Sequence, residues 1–126
     1  MCTTRKVDLT ILTVNQLVDR FTEIGLAEDA ARDKDDLGAY KRLYFQMSAI
    51  SKELKARGRE ARLALTTLYT HPNPEIRLHA ARCSYGVAPD AARKCLEIIR
   101  DSKIPPQYLD AGMSFRALDD GTSMLD

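Results

Sequence analysis

The chain has 126 residues, 44% hydrophobic and 29% charged, with 19 basic against 18 acidic side chains and a formal charge of +1. That length suits a single domain spanning 1–126 that can bury roughly two thirds of its unfolded surface, and the composition excludes a disordered chain. The near-neutral balance disfavours nucleic acid as a partner, and no stretch approaches the roughly 18 apolar residues of a membrane span.

Residues 1–12 form an N-terminal segment whose apolar run is broken by Asp8 and carries no small-residue cleavage site. Cys2, Cys83 and Cys95 are odd in number and lack close paired spacing, unlike the framework of a disulfide-stapled secreted fold. The expected location is therefore the reduced cytoplasm. Thr13 and Gln16 have the spacing of a capping box, in which each side chain covers a backbone N–H of the other. Behind them Val14, Leu17, Val18, Phe21 and Ile24 recur at helical spacing to about Arg32. The acidic stretch DKDD then favours a new helix start, because carboxylates complement the positive end of a helix. Leu37, Tyr40, Leu43, Tyr44, Met47, Ile50 and Leu54 form the next apolar stripe, and Gly58 stops it. Phe45 lies off that stripe and reads as an exposed anchor. Residues 13–58 are thus expected to form an N-terminal helical hairpin.

Beyond Gly58 the helices shorten and the chain repeats itself. A shift of 31 positions lays Ala61 on Ala92, Arg62 on Arg93, Leu65 on Leu96, Pro74 on Pro105, Leu78 on Leu109 and Ala80 on Ala111. Each unit reads as a helical hairpin, the first over 59–88 and the second over 89–121, with a frayed tail at 122–126. In the first unit an outer helix runs from about Glu60 to Thr70, and Asn73 caps an inner helix that starts at Pro74. Ile76, Ala80, Cys83 and Val87 make one apolar stripe of this inner helix; Leu78, Ala81 and Tyr85 make another. Two stripes predict a helix sandwiched between neighbours, as in a solenoid. Glu75, His79, Arg82 and Gly86 remain as an exposed polar strip.

The segment HPNPEIRLHAARC resembles the turn and second helix of a HEAT repeat, with a helix-breaking turn, a branched apolar residue, an arginine and small alanines. More of the chain resembles a bacterial family known as a domain of unknown function, numbered 2019. The resemblance is carried by NQLVDRFTEIGLAED, YKRLYFQMSAISKELKARG, HPNPEIRLHAARCSYGVAPDAARKCLEII and DAGMSFRALDDG, which together reach from Asn15 to Gly121. It implies an all-α, right-handed α-α superhelix of the HEAT/armadillo kind, with about six helices: two short repeats capped by the N-terminal hairpin. It implies no activity. Two positions depart from the HEAT pattern: His71 occupies a turn position often filled by aspartate, and the Arg77 position becomes Tyr108 in the second unit.

His79 and Cys83 stand four residues apart on a helix, with Cys95 on the next, and the trio invites a zinc reading. Structural zinc takes four ligands and catalytic zinc three plus water. Under the repeat, Cys95 falls on Ala64 and Cys83 on Ser114, both small-residue slots, so both cysteines read as packing residues and no metal or cofactor is expected. The same shift carries His79 to Asp110 and Arg82 to Met113, which predicts a shallow binding surface of His79, Arg82, Asp110, Met113 and Arg116. The function expected is a non-catalytic protein–protein interaction module whose partner is another protein. An immunity-type protein that neutralises a toxin is a specialised form of it, by analogy. Self-association is a further option, since a solenoid end needs covering. One alternative is anion or nucleic-acid binding through the basic cluster Lys52, Lys55, Arg57, Arg59 and Arg62, although Gly58 interrupts the helix that carries it. The other is an enzyme in which Asp110 orients the His79 imidazole; no nucleophile, glycine-rich loop or metal motif accompanies that pair, so no enzyme is expected.

Overall fold

The computed structural model describes residues 8–120, with side chains through Arg116. Residues 1–7 of the N-terminal segment and the tail at 122–126 lie outside the described residues.

Helix α1 (Val14–Asp33) begins as its capping box requires: Thr13 N donates to Gln16 Oε1 at 2.8 Å and Gln16 N to Thr13 Oγ1 at 3.1 Å. Asp36 caps α2 (Leu37–Arg57) by accepting from Ala39 N. This helix ends at Gly58, whose φ of 108° and ψ of −177° lie in a region essentially reserved for glycine. Of the α2 stripe, Met47, Ile50 and Leu54 are buried, while Leu37 is 78% and Tyr44 53% exposed. Helix α2 packs chiefly on α1, and one neighbour covers a narrower stripe than seven residues. Phe45 is exposed, at 60%.

The expected outer helix at Glu60–Thr70 divides into α3 (Arg59–Leu63) and a 3-10 helix over Ala64–Thr70. The hydroxyls of Thr66 and Thr67 donate to the carbonyls of Leu63 and Ala64, three residues back, at 2.7 and 2.8 Å. Such back-bonding competes with the α-helical pattern and suits a tighter turn. Helix α4 (Pro74–Ser84) starts on Asn73, whose side chain accepts from Glu75 N at 2.8 Å. Helix α5 (Pro89–Ser102) also opens on proline and closes on Lys103 at a left-handed φ of 58°. Helix α6 (Gln107–Asp120) packs back on α5. Among the described residues there are six α-helices and no strand, and none of those helices is long and apolar enough to cross a membrane.

The apolar side chains gather in two clusters with α4 between them. Ile76 and Ala80 join Leu17, Phe21 and Ile24 of α1, Met47, Ile50 and Leu54 of α2, and Leu65 in the first. Leu78 and Ala81 join Ala92, Cys95, Leu96 and Ile99 of α5, and Ala111 and Phe115 of α6, in the second. The two stripes of α4 therefore serve two cores, and its third face is left for polar chemistry.

Candidate functional site

The third face of α4 begins in a dry, charged cluster. Glu75 sits in the first turn, where the positive end of the helix favours a carboxylate, and His79 follows one turn later on the same face. Glu28 of α1 faces them. Glu75 and Glu28 are 1% and 0% exposed, and the His79 side chain is 12% exposed. Glu75, read from the sequence as part of an exposed strip, is thus a buried residue. Its burial is made tolerable by partners from three helices. Arg32 of α1 donates from Nη1 to Glu75 Oε1 at 3.0 Å and from Nη2 to Oε2 at 3.1 Å, a two-pronged geometry that fits carboxylate and guanidinium planes together. Gln107, buried at the start of α6, donates to Oε1 at 2.8 Å, and His79 Nε2 lies 2.9 Å from Oε2. Arg32 is itself held by the Tyr40 hydroxyl at 3.0 Å and lies over the Tyr40 ring.

The two carboxyls respond in opposite directions. Burial pushes Glu75 up, but the hydrogen bonds from His79, Arg32 and Gln107 outweigh it and hold the group down to about 2. Burial pushes Glu28 up as well, and there the His79 and Arg32 charges offset it only in part. Glu28 Oε1 stands 3.3 Å from His79 Nε2, yet neither Glu28 oxygen has a hydrogen-bond partner among the described residues.

Farther along the same face the chemistry turns wet. A cleft of about 340 Å³ opens between α2 and α4. Its walls combine Tyr44, Met47, Ser48 and Ser51 of α2 with Cys83 and the ring of His79, and four cations converge on it: Lys52 and Lys55 from α2, Arg62 from α3 and Arg82 from α4. Among the described residues no carboxylate lines it. Arg62 is 9% exposed, and its Nη2 donates to the Cys83 carbonyl at 3.0 Å. Burial pushes the Cys83 thiol up, and pushes that of Cys95 up to about 11.

The residues singled out from the sequence are regrouped by this arrangement. His79 and Arg82 of the expected binding surface meet Lys52, Lys55 and Arg62 of the basic cluster in one cleft. Asp110, Met113 and Arg116 stand apart on α6, Met113 being 64% exposed. The carboxylate neighbours of His79 are Glu28 and Glu75, not Asp110. Arg57 does not line the cleft: it pairs with Glu53 at 2.9 Å and donates to the carbonyls of Leu9 and Thr10. Glu28, Arg32 and Gln107 were missed. Glu28 left a signal, because it falls four residues beyond Ile24 on the stripe of Leu17, Phe21 and Ile24, where an apolar side chain is due.

A family model described as a domain of unknown function (DUF2019) matches residues 15–119. The crystal structure of the protein RPA1889 from Rhodopseudomonas palustris CGA009 is similar over 94% of this chain and 98% of that one, at 41% sequence identity and a TM-score of 0.90. Among curated proteins none matches.

Proposed function

The chain belongs to the DUF2019 family, and we propose that it is a non-catalytic interaction module that takes an acidic segment of a partner protein into the cleft between α2 and α4. The observation that carries this reading is the convergence of Lys52, Lys55, Arg62 and Arg82, from three helices, on a cleft that no carboxylate among the described residues lines. Like charges gathered around a concave wall reinforce one another's field at its centre. The Tyr44 and Met47 side chains offer apolar contact beside those cations, which suits an aspartate or glutamate flanked by apolar neighbours. A nucleic-acid ligand is less favoured, since strong duplex binders make about six to ten phosphate contacts and this chain is close to neutral.

In the same proposal the helices form a HEAT-like, right-handed stack, with the α1–α2 hairpin capping two short repeats. The position of α4 between two apolar clusters supports it, because inner helices of a solenoid contact a neighbour on each side. The free thiols of Cys83 and Cys95 support a reducing compartment such as the cytoplasm.

The test is a titration of a fluorescent, glutamate-rich peptide into the protein, against a lysine-rich peptide and a single-stranded oligonucleotide. Lys52 and Arg82 are exposed, so Lys52→Glu and Arg82→Glu leave the core intact. Each reversal exchanges an attraction for a repulsion of about 1 kcal/mol at contact distance in water, so the double variant should bind the acidic peptide at least about tenfold more weakly. Absence of acidic-peptide binding, or binding indifferent to both reversals, overturns the proposal. Tighter binding of the oligonucleotide transfers the cleft to the anion-binding alternative.

A further inference from the structure

We propose that Glu28, Glu75 and His79 form the binding site of a single divalent transition-metal ion of the zinc type, which ties α1 to α4. This site borders the cationic cleft at the His79 ring but does not depend on the partner assigned to the cleft. One ligand atom from each of the three residues lies within 4.8 Å of the other two. His79 Nε2 is 2.9 Å from Glu75 Oε2 and 3.3 Å from Glu28 Oε1. Zinc binds imidazole nitrogen and carboxylate oxygen at about 2.0–2.2 Å, so two ligands subtending an angle of about 90–110° stand about 3.0–3.4 Å apart. The His79–Glu28 separation falls within that spacing and the His79–Glu75 separation lies just below it.

Glu28 supplies the independent indication. It is fully buried, and both its oxygens lack a hydrogen-bond partner among the described residues, whereas buried polar groups are normally satisfied. The ring nitrogen His79 Nε2 carries one hydrogen at most, and it is already directed to Glu75. That hydrogen cannot serve both carboxylates well. A metal ion in its place contacts all three residues and satisfies the orphaned one.

The surroundings fit the same occupant. Arg32 and Gln107 grip Glu75, as hydrogen-bonding partners commonly orient a ligating carboxylate. The Arg32 charge offsets one of the two carboxylates, so the site favours an ion held by nitrogen and oxygen bonds over one held by charge alone. An imidazole donor also selects zinc-like ions over Ca²⁺ and Mg²⁺, which prefer oxygen. The cleft reaches the His79 ring and offers a route for the ion and for a completing water. The sequence sets a metal role for His79 aside; the proposed site gives it one, with two carboxylates in place of the Cys83 thiolate weighed beside it.

The protein, freed of metal with a chelator and exchanged into clean buffer, should be titrated with zinc chloride by calorimetry and melted with and without the salt. One ion per chain and a higher melting temperature are expected, with no response to magnesium chloride. Glu28→Gln keeps the side-chain shape and should bind zinc at least about 100-fold more weakly, beyond the loss from removing an outer-shell partner. Cobalt chloride added to the unaltered protein gives a second measurement that needs no variant: nitrogen and oxygen ligands should produce a visible spectrum without a thiolate charge-transfer band. Failure of zinc to bind stoichiometrically, undiminished binding by Glu28→Gln, or a thiolate band overturns the proposal.

Discussion

Two glutamates equally hidden from water should answer the same substitution in opposite ways. Glu75→Gln replaces a carboxylate that accepts both prongs of Arg32, the Gln107 amide and the His79 ring. The amide that replaces it has one oxygen instead of two, so at least one donor of Arg32, Gln107 or His79 must face an NH₂ group. Breaking a fully buried charge pair costs about 3–5 kcal/mol. The Arg32 side chain is 28% exposed, which lets water recover part of the loss, and about 2–4 kcal/mol is the expected destabilisation. Glu28→Gln removes a carboxylate whose oxygens have no hydrogen-bond partner among the described residues and whose charge is opposed by burial. With metal excluded, the change should lie within about 0.5 kcal/mol of neutral or be stabilising, because an unpaired buried charge is itself unfavourable. Urea unfolding at neutral pH in the presence of a chelator measures both. For a chain of this length 1 kcal/mol moves the melting midpoint by about 4 °C, so Glu75→Gln should melt about 8–16 °C lower and Glu28→Gln close to the parent. Equal losses in the two variants would refute the reasoning, since they would mean that burial alone sets the cost and the hydrogen bonds to Glu75 contribute nothing.

Gly58→Ala tests backbone conformation in isolation: a Cβ there meets nothing within 4 Å, but φ is 108°, so a loss of about 1–3 kcal/mol should appear in urea unfolding without a change in the helical circular dichroism of the folded state. Cys95 should resist iodoacetamide in the folded protein, because burial pushes its thiol up to about 11 and leaves roughly one thiolate in a thousand at pH 8. Mass spectrometry after timed alkylation should show its modification at least tenfold faster in urea, and equal rates would remove the burial argument.

Local pattern made most of the helices legible. Leu17, Phe21 and Ile24 repeat at the helical period and are buried, and Thr13, Asn73 and Pro74 mark helix starts by chemistry confined to a few neighbouring residues. The double apolar face of α4 was readable for the same reason. Helix α3 was less so, because the hydroxyls of Thr66 and Thr67 tighten the turn in a way that apolar spacing does not register. The charged cluster was hidden for a different reason. Arg32 and Glu75 are 43 positions apart and Gln107 lies 32 beyond Glu75, so no window contains the pairing that lets Glu75 be buried. A glutamate in the first turn of a helix, followed four and seven residues later by a histidine and an arginine, looks, by itself, like a solvated face. Only Glu28, standing in an apolar register, announced that something buried and polar was there.

His79 marks the boundary between the two environments of α4's polar face, and its substitution should therefore separate them. From Glu75 to Arg82 the helix advances about 10 Å, passing from a carboxylate 1% exposed to an exposed guanidinium. The imidazole between them touches Glu75 and Glu28 at one edge and forms part of the cleft wall. His79→Leu keeps a comparable volume and removes the ring nitrogen, leaving Glu28 without the polar atom that stands 3.3 Å from it and Glu75 without one donor. The expected loss is about 1–3 kcal/mol in urea unfolding, the usual range for a buried group deprived of its partner. Arg82→Leu, one turn farther out, should leave stability within about 0.5 kcal/mol of the parent, as exposed substitutions do, while weakening the acidic peptide. If Arg82→Leu destabilises as much as His79→Leu, the dry end of the helix face extends past the ring, and the division between a charged cluster and an open cleft is wrong.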